Sequence, residues 1–300
     1  MRRFTLLCLL TWMACATDTD TDTKEAAPGE SSLAAEDASL SPSSTDAEIM
    51  KHLYQAELEQ KATDALTSYF PEMTRDRAYA IQKLRLAHRE QSSRRVGWKI
   101  GWSRLANPED ELDPVVGHIM EDRLFPEGEP LSTRYFVEGT TGAEAEIVFY
   151  LNKDLPGPEV SAQEVAEAVE AVGVAMEFVS GRLTQPHKRE HAVADNVYGA
   201  GVVLGAKRFQ LDEVDFSGEV GQVEVNATIV EEGPATSIMG KDPFEALVWI
   251  ANELPKRGMQ LHAGDFVVTG TVCVPPPVKA GDSARVIFTN LGSVSADFVE

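Results

Sequence analysis

Cysteine is scarce in this chain: three in 300 residues, at Cys8, Cys15 and Cys273. A disulfide-stapled scaffold is therefore excluded, and stability must come from an apolar core. Positive charge is also in short supply. Lys and Arg total 27 against 48 Asp and Glu, a net charge of −21 with an isoelectric point near 4.7, so nucleic acid is not an expected partner. Long apolar runs are missing. The longest, Phe4 to Ala14, is roughly half of the ~20 residues that a spanning helix needs, which excludes a multi-span protein. No H-E-x-x-H metal motif, G-x-S-x-G nucleophile elbow or glycine fingerprint for a dinucleotide occurs, and His118, His187, His191 and His262 have no metal-ligand spacing. What remains is an ordinary globular composition, 43% hydrophobic and 25% charged, sufficient for a sizeable core.

The first residues have the order of a secretory signal: Met1-Arg2-Arg3, a short apolar segment, then Ala14 before Cys15. This resembles a bacterial lipoprotein signal, which implies cleavage ahead of Cys15 and lipid attachment to it. Trp12 and Met13 depart from the small residues usual there. The expected location is the cell envelope, membrane-anchored or periplasmic, or the cytoplasm if the leader is not a signal. Residues 16–45 are almost free of large apolar side chains and rich in Thr, Asp, Ser, Ala and Pro, so they are expected to form a disordered tether.

From Asp46 to Glu300 the pattern is that of one domain. Ile49, Leu53 and Leu58 recur at helical spacing, and a second helix follows the candidate N-cap Thr74 with Ala78, Ile81 and Leu84 on one stripe. Beyond Arg95, β-branched runs broken by Gly and Pro predict seven or more strands. Two helices are expected among them: SAQEVAEAVEAV, with Ser161 and Glu164 as a capping box, and DPFEALVWIANEL, with Asp242 ahead of Pro243. The fold class is α+β, with a large mixed or antiparallel sheet system.

Three carboxylates stand where a strand should be apolar. Glu144 and Glu146 are two apart in AEIVFYL-type strand sequence and point to one side, while Glu177 interrupts the apolar run VGVAMEFV. Adjacent anions repel unless one is protonated or a cation lies between them. Oxygen-only ligands suit a hard ion such as Mg²⁺ or Mn²⁺; ion pairing to Arg182 or a lysine is the alternative. Lys99, between glycines and tryptophans in VGWKIGW, is a candidate to hold an anion or relay a proton, or else a strand lysine facing water. Asp195-Asn196, ahead of Gly199 and Gly201, reads equally as turn chemistry.

In order, AYAIQ, VGWKIGW, EAEIVFYLNKDLP, AMEFVSGR, ADNVYGAGVVLG, DPFEALVWIANEL and GDFVVTGTVCVPPPVKAGD resemble the 2-keto-4-pentenoate hydratase and 4-oxalocrotonate decarboxylase family of the fumarylacetoacetate hydrolase superfamily. The resemblance implies a mixed β-roll, a divalent ion on Glu144, Glu146 and Glu177, Lys99 and Asp195 as catalytic groups, and Lys99, Arg182 and Asn196 as substrate-binding groups. It also implies a small 2-oxo acid substrate and a homo-oligomer. The leading expectation is hydration of a 2-hydroxy-2,4-dienoate to a 4-hydroxy-2-oxo acid. Decarboxylation of a 2-oxo-enedioate, hydrolysis of an acylpyruvate, and non-catalytic binding of a small acid are the alternatives. Two departures from the family pattern touch proton donors: Val115 replaces an acid, with Asp113 beyond the proline, and Val197-Tyr198 replaces Ala-Ser.

Overall fold

A computed structural model of the chain describes residues 40–107, 111–184 and 186–300. The leader, the anchor expected at Cys15 and most of the tether lie outside the described residues. The packed chain starts ahead of the expected Asp46. Leu40 is buried in the core, and the Ser44 carbonyl accepts from Arg77 Nη2 at 3.3 Å, so the last residues of the polar tract join the fold.

In chain order the elements are α1 (Asp46–Leu58), α2 (Ala65–Tyr69), α3 (Arg75–Arg89), β1 (Arg95–Gly101), β2 (Val115–Met120), β3 (Leu124–Phe125), β4 (Leu131–Ser132) and β5 (Thr141–Leu151). Then come α4 (Ala162–Ala168), β6 (Val169–Ser180), α5 (Arg189–Ala194), β7 (Gly199–Leu204), β8 (Val220–Val225) and β9 (Thr228–Pro234). The chain ends with α6 (Pro243–Glu253), β10 (Phe266–Val268), β11 (Ser283–Phe288) and β12 (Gly292–Val299). One sheet runs β2-β1-β10-β5-β6-β7-β3 and the other β4-β12-β11-β8-β9, with parallel pairs β1/β10, β3/β7 and β4/β12 among antiparallel ones. This is the expected α+β architecture of curled mixed sheets with a helical N-terminal segment. Among the described residues no helix is long and apolar enough to cross a membrane.

The caps follow from local chemistry. Thr45 and Glu48 exchange hydrogen bonds as a capping box on α1, Ser161 and Glu164 do so on α4, and Thr74 Oγ1 accepts from the Arg77 amide on α3. Asp242 accepts from the amides of Phe244 and Glu245, with Pro243 in the first turn of α6. Two expectations fail at longer range. The helix expected through Val172 stops at Ala168, because Val169, Ala171 and Val172 find ladder partners in Leu151, Tyr150 and Phe149. Leu84 is 41% exposed, and its neighbour Arg85 takes the buried position.

Arg85 can be buried because its charge is fully matched. It bonds Glu57 through Nη2 and Asp195 through Nη1 at 2.9 Å; Arg182 Nε reaches Asp195 at 3.0 Å, and Arg123 reaches Glu57 at 3.1 Å. Burial alone would raise the Glu57 carboxyl, but Arg85, with Arg182, Arg123 and Arg89 behind it, holds it at about 2. This network ties α1 and α3 to the sheet.

His118, on β2 beside the network, is driven down to about 3 by burial, with Arg85 adding to the effect. The native state keeps it neutral while the unfolded chain takes up a proton below about 6.5, so the unfolded state binds more protons and stability falls as pH drops from about 6.5 toward 3. Between pH 7 and pH 5 this one group is expected to cost about 2 kcal/mol of unfolding free energy. Urea titrations should show that loss in the wild type and a shallower one in His118→Gln; equal slopes would remove His118 as the cause.

Candidate metal centre and cavity

β5 alternates strictly across the site. Ala143, Ala145 and Ile147 are fully buried on one side, so Glu144 and Glu146 share the other. The antiparallel register then sets Glu144 directly opposite Glu177 on β6, with Glu146 opposite Ala175. Like charges in such a cross-strand pair are destabilising. The three carboxylates each present an oxygen within 4.8 Å of the others; Glu146 and Glu177 are 1% exposed and Glu144 is half-buried.

Few groups compensate this charge. Lys99 Nζ donates to Glu177 Oε1 and, at 3.3 Å, to the Val197 carbonyl; the Gly270 amide donates to Glu146 Oε2 at 2.7 Å. Glu177 Oε2 is buried with no partner among the described residues. Burial and the neighbouring Glu177 push the Glu144 carboxyl up to about 8 against the pull of Lys99, and burial, Glu177 and Glu144 hold Glu146 well above the carboxylate range. A buried oxygen with unshared lone pairs, in a cluster short of positive charge, fits a hard divalent cation.

Lys99 meets Glu177 although β10 and β5 lie between their strands in the sheet, so the sheet curls to bring β1 over β6. Gly117 permits this. It is the register partner of Lys99, and a Cβ there would sit 2.7 Å from Lys99 Cγ. Burial disfavours the ammonium, yet Glu177, then Glu144 and Glu146, raise its pKa above the ordinary lysine value, so Lys99 stays charged. Gly270 is equally specific. Its φ of +98° favours glycine, and a Cβ there would lie 1.9 Å from Ser103 Oγ, so only this backbone can aim an amide at Glu146. Its one trace in the sequence is the glycine interrupting VVTGTV.

A cavity of about 310 Å³ opens beside the cluster, with Lys99, Trp102, Arg104, Glu144, Val197 and Tyr198 among its walls. Arg182, Asp195 and Asn196, expected at the substrate, are not among its lining residues. Asp195 is completely buried with its carboxylate taken by Arg182 and Arg85, and Arg182 also bonds the Asp195 carbonyl at 3.2 Å. Asn196 spends both ends of its amide on the His118 backbone at 2.9 Å and borders a water-sized space of about 20 Å³ that Glu177 also reaches. These residues stand behind the wall and hold its shape. Val115 is fully buried and packs against Gly101, and Asp113 is engaged by Arg75 and Arg189 at the surface.

The model of the fumarylacetoacetate (FAA) hydrolase C-terminal region matches residues 86–299. The chain belongs to the fumarylacetoacetate hydrolase family. Relatives of this hydrolase-family chain include the 2-oxo-hept-4-ene-1,7-dioate hydratase of Escherichia coli, 30% identical over 84% of this chain and 97% of that protein. The 2-keto-4-pentenoate hydratase of Paraburkholderia xenovorans (strain LB400) is 32% identical over 84% of this chain and 94% of its own. Among solved structures, 4-oxalocrotonate decarboxylase from Pseudomonas putida G7, complexed with magnesium and adipate, superposes with a TM-score of 0.78 at 28% identity, covering 85% of this chain and 97% of that one.

Titration calorimetry of the protein with Mn²⁺ should detect binding that weakens more than about a hundredfold in Glu177→Gln, since even groups behind a ligand cost about 10–100-fold when removed. Unchanged affinity in that variant would place the ion elsewhere.

Proposed function

We propose that this member of the family is a divalent-metal-dependent lyase that adds water to a 2-hydroxy-2,4-dienoate, giving a 4-hydroxy-2-oxo acid. The observation that carries this reading is the cluster of Glu144, Glu146 and the half-unpartnered Glu177 with Lys99 bonded to it, of which Glu144 and Lys99 line a cavity of about 310 Å³. The two hydratases matched over nearly their whole length support it. Mg²⁺ or Mn²⁺ held by the three glutamates would supply a Lewis acid for the carboxylate and 2-oxygen of the substrate.

The chain's own groups do the rest. The Lys99 ammonium has three donors, of which Glu177 and the Val197 carbonyl take two, leaving one for an anionic substrate. Its stem is confined between Gly117 and Gly199, so the charge is held in place before substrate arrives. Val179, Val197 and Pro275 on the cavity wall exclude bulk water and strengthen each polar contact inside. When the dienol gives up its 2-hydroxyl proton, negative charge develops on the 2-oxygen until carbon is protonated, and Lys99 favours that charge without rearranging.

Arg104 suits a diacid substrate, which in a second reading, a 2-oxo-enedioate decarboxylase, is decarboxylated rather than hydrated. It lines the cavity, its guanidinium has no hydrogen-bond or ion-pair partner among the described residues, and its charge acts on the Cys273 thiol across the wall. A free guanidinium suits a second substrate carboxylate. Metal-loaded protein should therefore be assayed with 2-hydroxypenta-2,4-dienoate and with a 2-oxo-enedioate, and the products identified by NMR. Hydration of the monoacid, abolished in Glu177→Gln and lowered at least about a hundredfold in Lys99→Met, is the expected outcome. Carbon dioxide release from the diacid, lost in Arg104→Gln while the monoacid is untouched, would establish the second reading instead.

A further inference from the structure

Tyr198 is left over by the site as described. It lines the cavity, yet its hydroxyl is buried with no hydrogen-bond partner among the described residues. Buried phenols normally find a partner, and an orphaned one on a cavity-lining residue marks a group whose partner is missing. The backbone that carries it is strained as well. Asn196, Val197 and Tyr198 have φ of 54°, 54° and 56°, three successive non-glycine residues in the left-handed region, one of them β-branched. Such a turn persists only where its surroundings over-determine it.

The surroundings do so here. Asp195, just before the turn, is gripped by Arg182 and Arg85, and Asn196 is locked to both backbone groups of His118. Lys99 fastens the Val197 carbonyl from the cavity side. On the far side of the phenol, the His187 ring meets it edge-on, with centroids 5.3 Å apart and planes at 83°. His187 Nδ1 is buried with no hydrogen-bond partner among the described residues. Two unsatisfied polar atoms thus sit on touching rings, one of which borders the cavity.

We propose that Tyr198 is a substrate-contacting, specificity-determining residue, whose hydroxyl donates a hydrogen bond to an oxygen of the bound 2-oxo acid, with His187 as the positioning residue that holds the ring. The turn at 196–198 then serves two contacts at once. It presents the Val197 carbonyl to Lys99 and the neighbouring phenol to substrate, so the charged and the neutral donor are set by one rigid segment. This rests on the substrate class proposed above.

The test uses the full chain with Mg²⁺ and two probes: 2-oxopentanoate, a saturated analogue that cannot be hydrated, and 2-hydroxypenta-2,4-dienoate. Tyr198→Phe removes one oxygen and keeps the ring. It is expected to weaken analogue binding about tenfold and to lower kcat/KM by a similar factor, while its thermal midpoint is unchanged or raised because an unpaired buried hydroxyl is gone. Equal analogue affinity and equal kcat/KM in wild type and Tyr198→Phe would overturn the assignment while leaving the lyase reading intact. Wild-type protein that binds neither probe would instead overturn the substrate class, and the Tyr198 contact with it. A lowered midpoint with affinity unchanged would make Tyr198 a packing residue only.

Discussion

Glu144 and Glu177 face one another across the β5/β6 ladder, and much of the molecule is arranged around that repulsion. A one-residue slip of the two antiparallel strands would separate the pair only by turning Ala143, Ala145 and Ile147 to the other face. The cost is met from outside the ladder. Lys99 arrives from β1 by the curl of the sheet, Gly117 clears its path, and Gly270 turns an amide toward Glu146. These contacts reduce the repulsion without cancelling it, and the excess negative potential makes the place attractive to a divalent cation.

A second set of buried charges has a different purpose. Glu57, Arg85, Asp195 and Arg182 neutralise one another almost completely, so they contribute little potential to the cavity and much rigidity to the wall behind it. Breaking a buried set of this kind leaves an uncompensated charge. The two clusters meet at residues 195–198, where the balanced network anchors the turn from which Val197 and Tyr198 project. One cluster is short of positive charge and suited to a ligand; the other is matched and suited to holding shape.

The relatives catalyse hydration and decarboxylation on one architecture, and the cavity indicates how the two could diverge. The three glutamates and Lys99 suit either reaction, because both place charge on the same substrate oxygen. What differs must lie in the rest of the wall, where this chain has the methyl groups of Val197, backed by Val115, and then the phenol of Tyr198 and the guanidinium of Arg104. An apolar wall at Val115 and Val197 offers no carboxyl to move a proton.

Much of the site was legible from local rules. The period of a strand placed Glu144 and Glu146 on one side, an acid inside VGVAMEFV marked Glu177 as buried, and the caps at Thr45, Thr74, Ser161 and Asp242 followed from side chains within three residues of the amides they satisfy. Other features depended on partners far away in the chain. Arg85 displaces Leu84 from the core because Asp195, 110 residues on, accepts its charge, and the same bond occupies the Asp195 carboxylate. Likewise Val169 to Val172 could continue a helix until β5 offers them a ladder. By itself the sequence determined which residues are apolar, which way strand neighbours point and where helices begin, since those depend on bonds a few residues long. Tertiary structure alone decided which charge meets which, because pairing Lys99 with Glu177 or Asp195 with Arg85 requires a strand order and a sheet curl that no local interaction encodes.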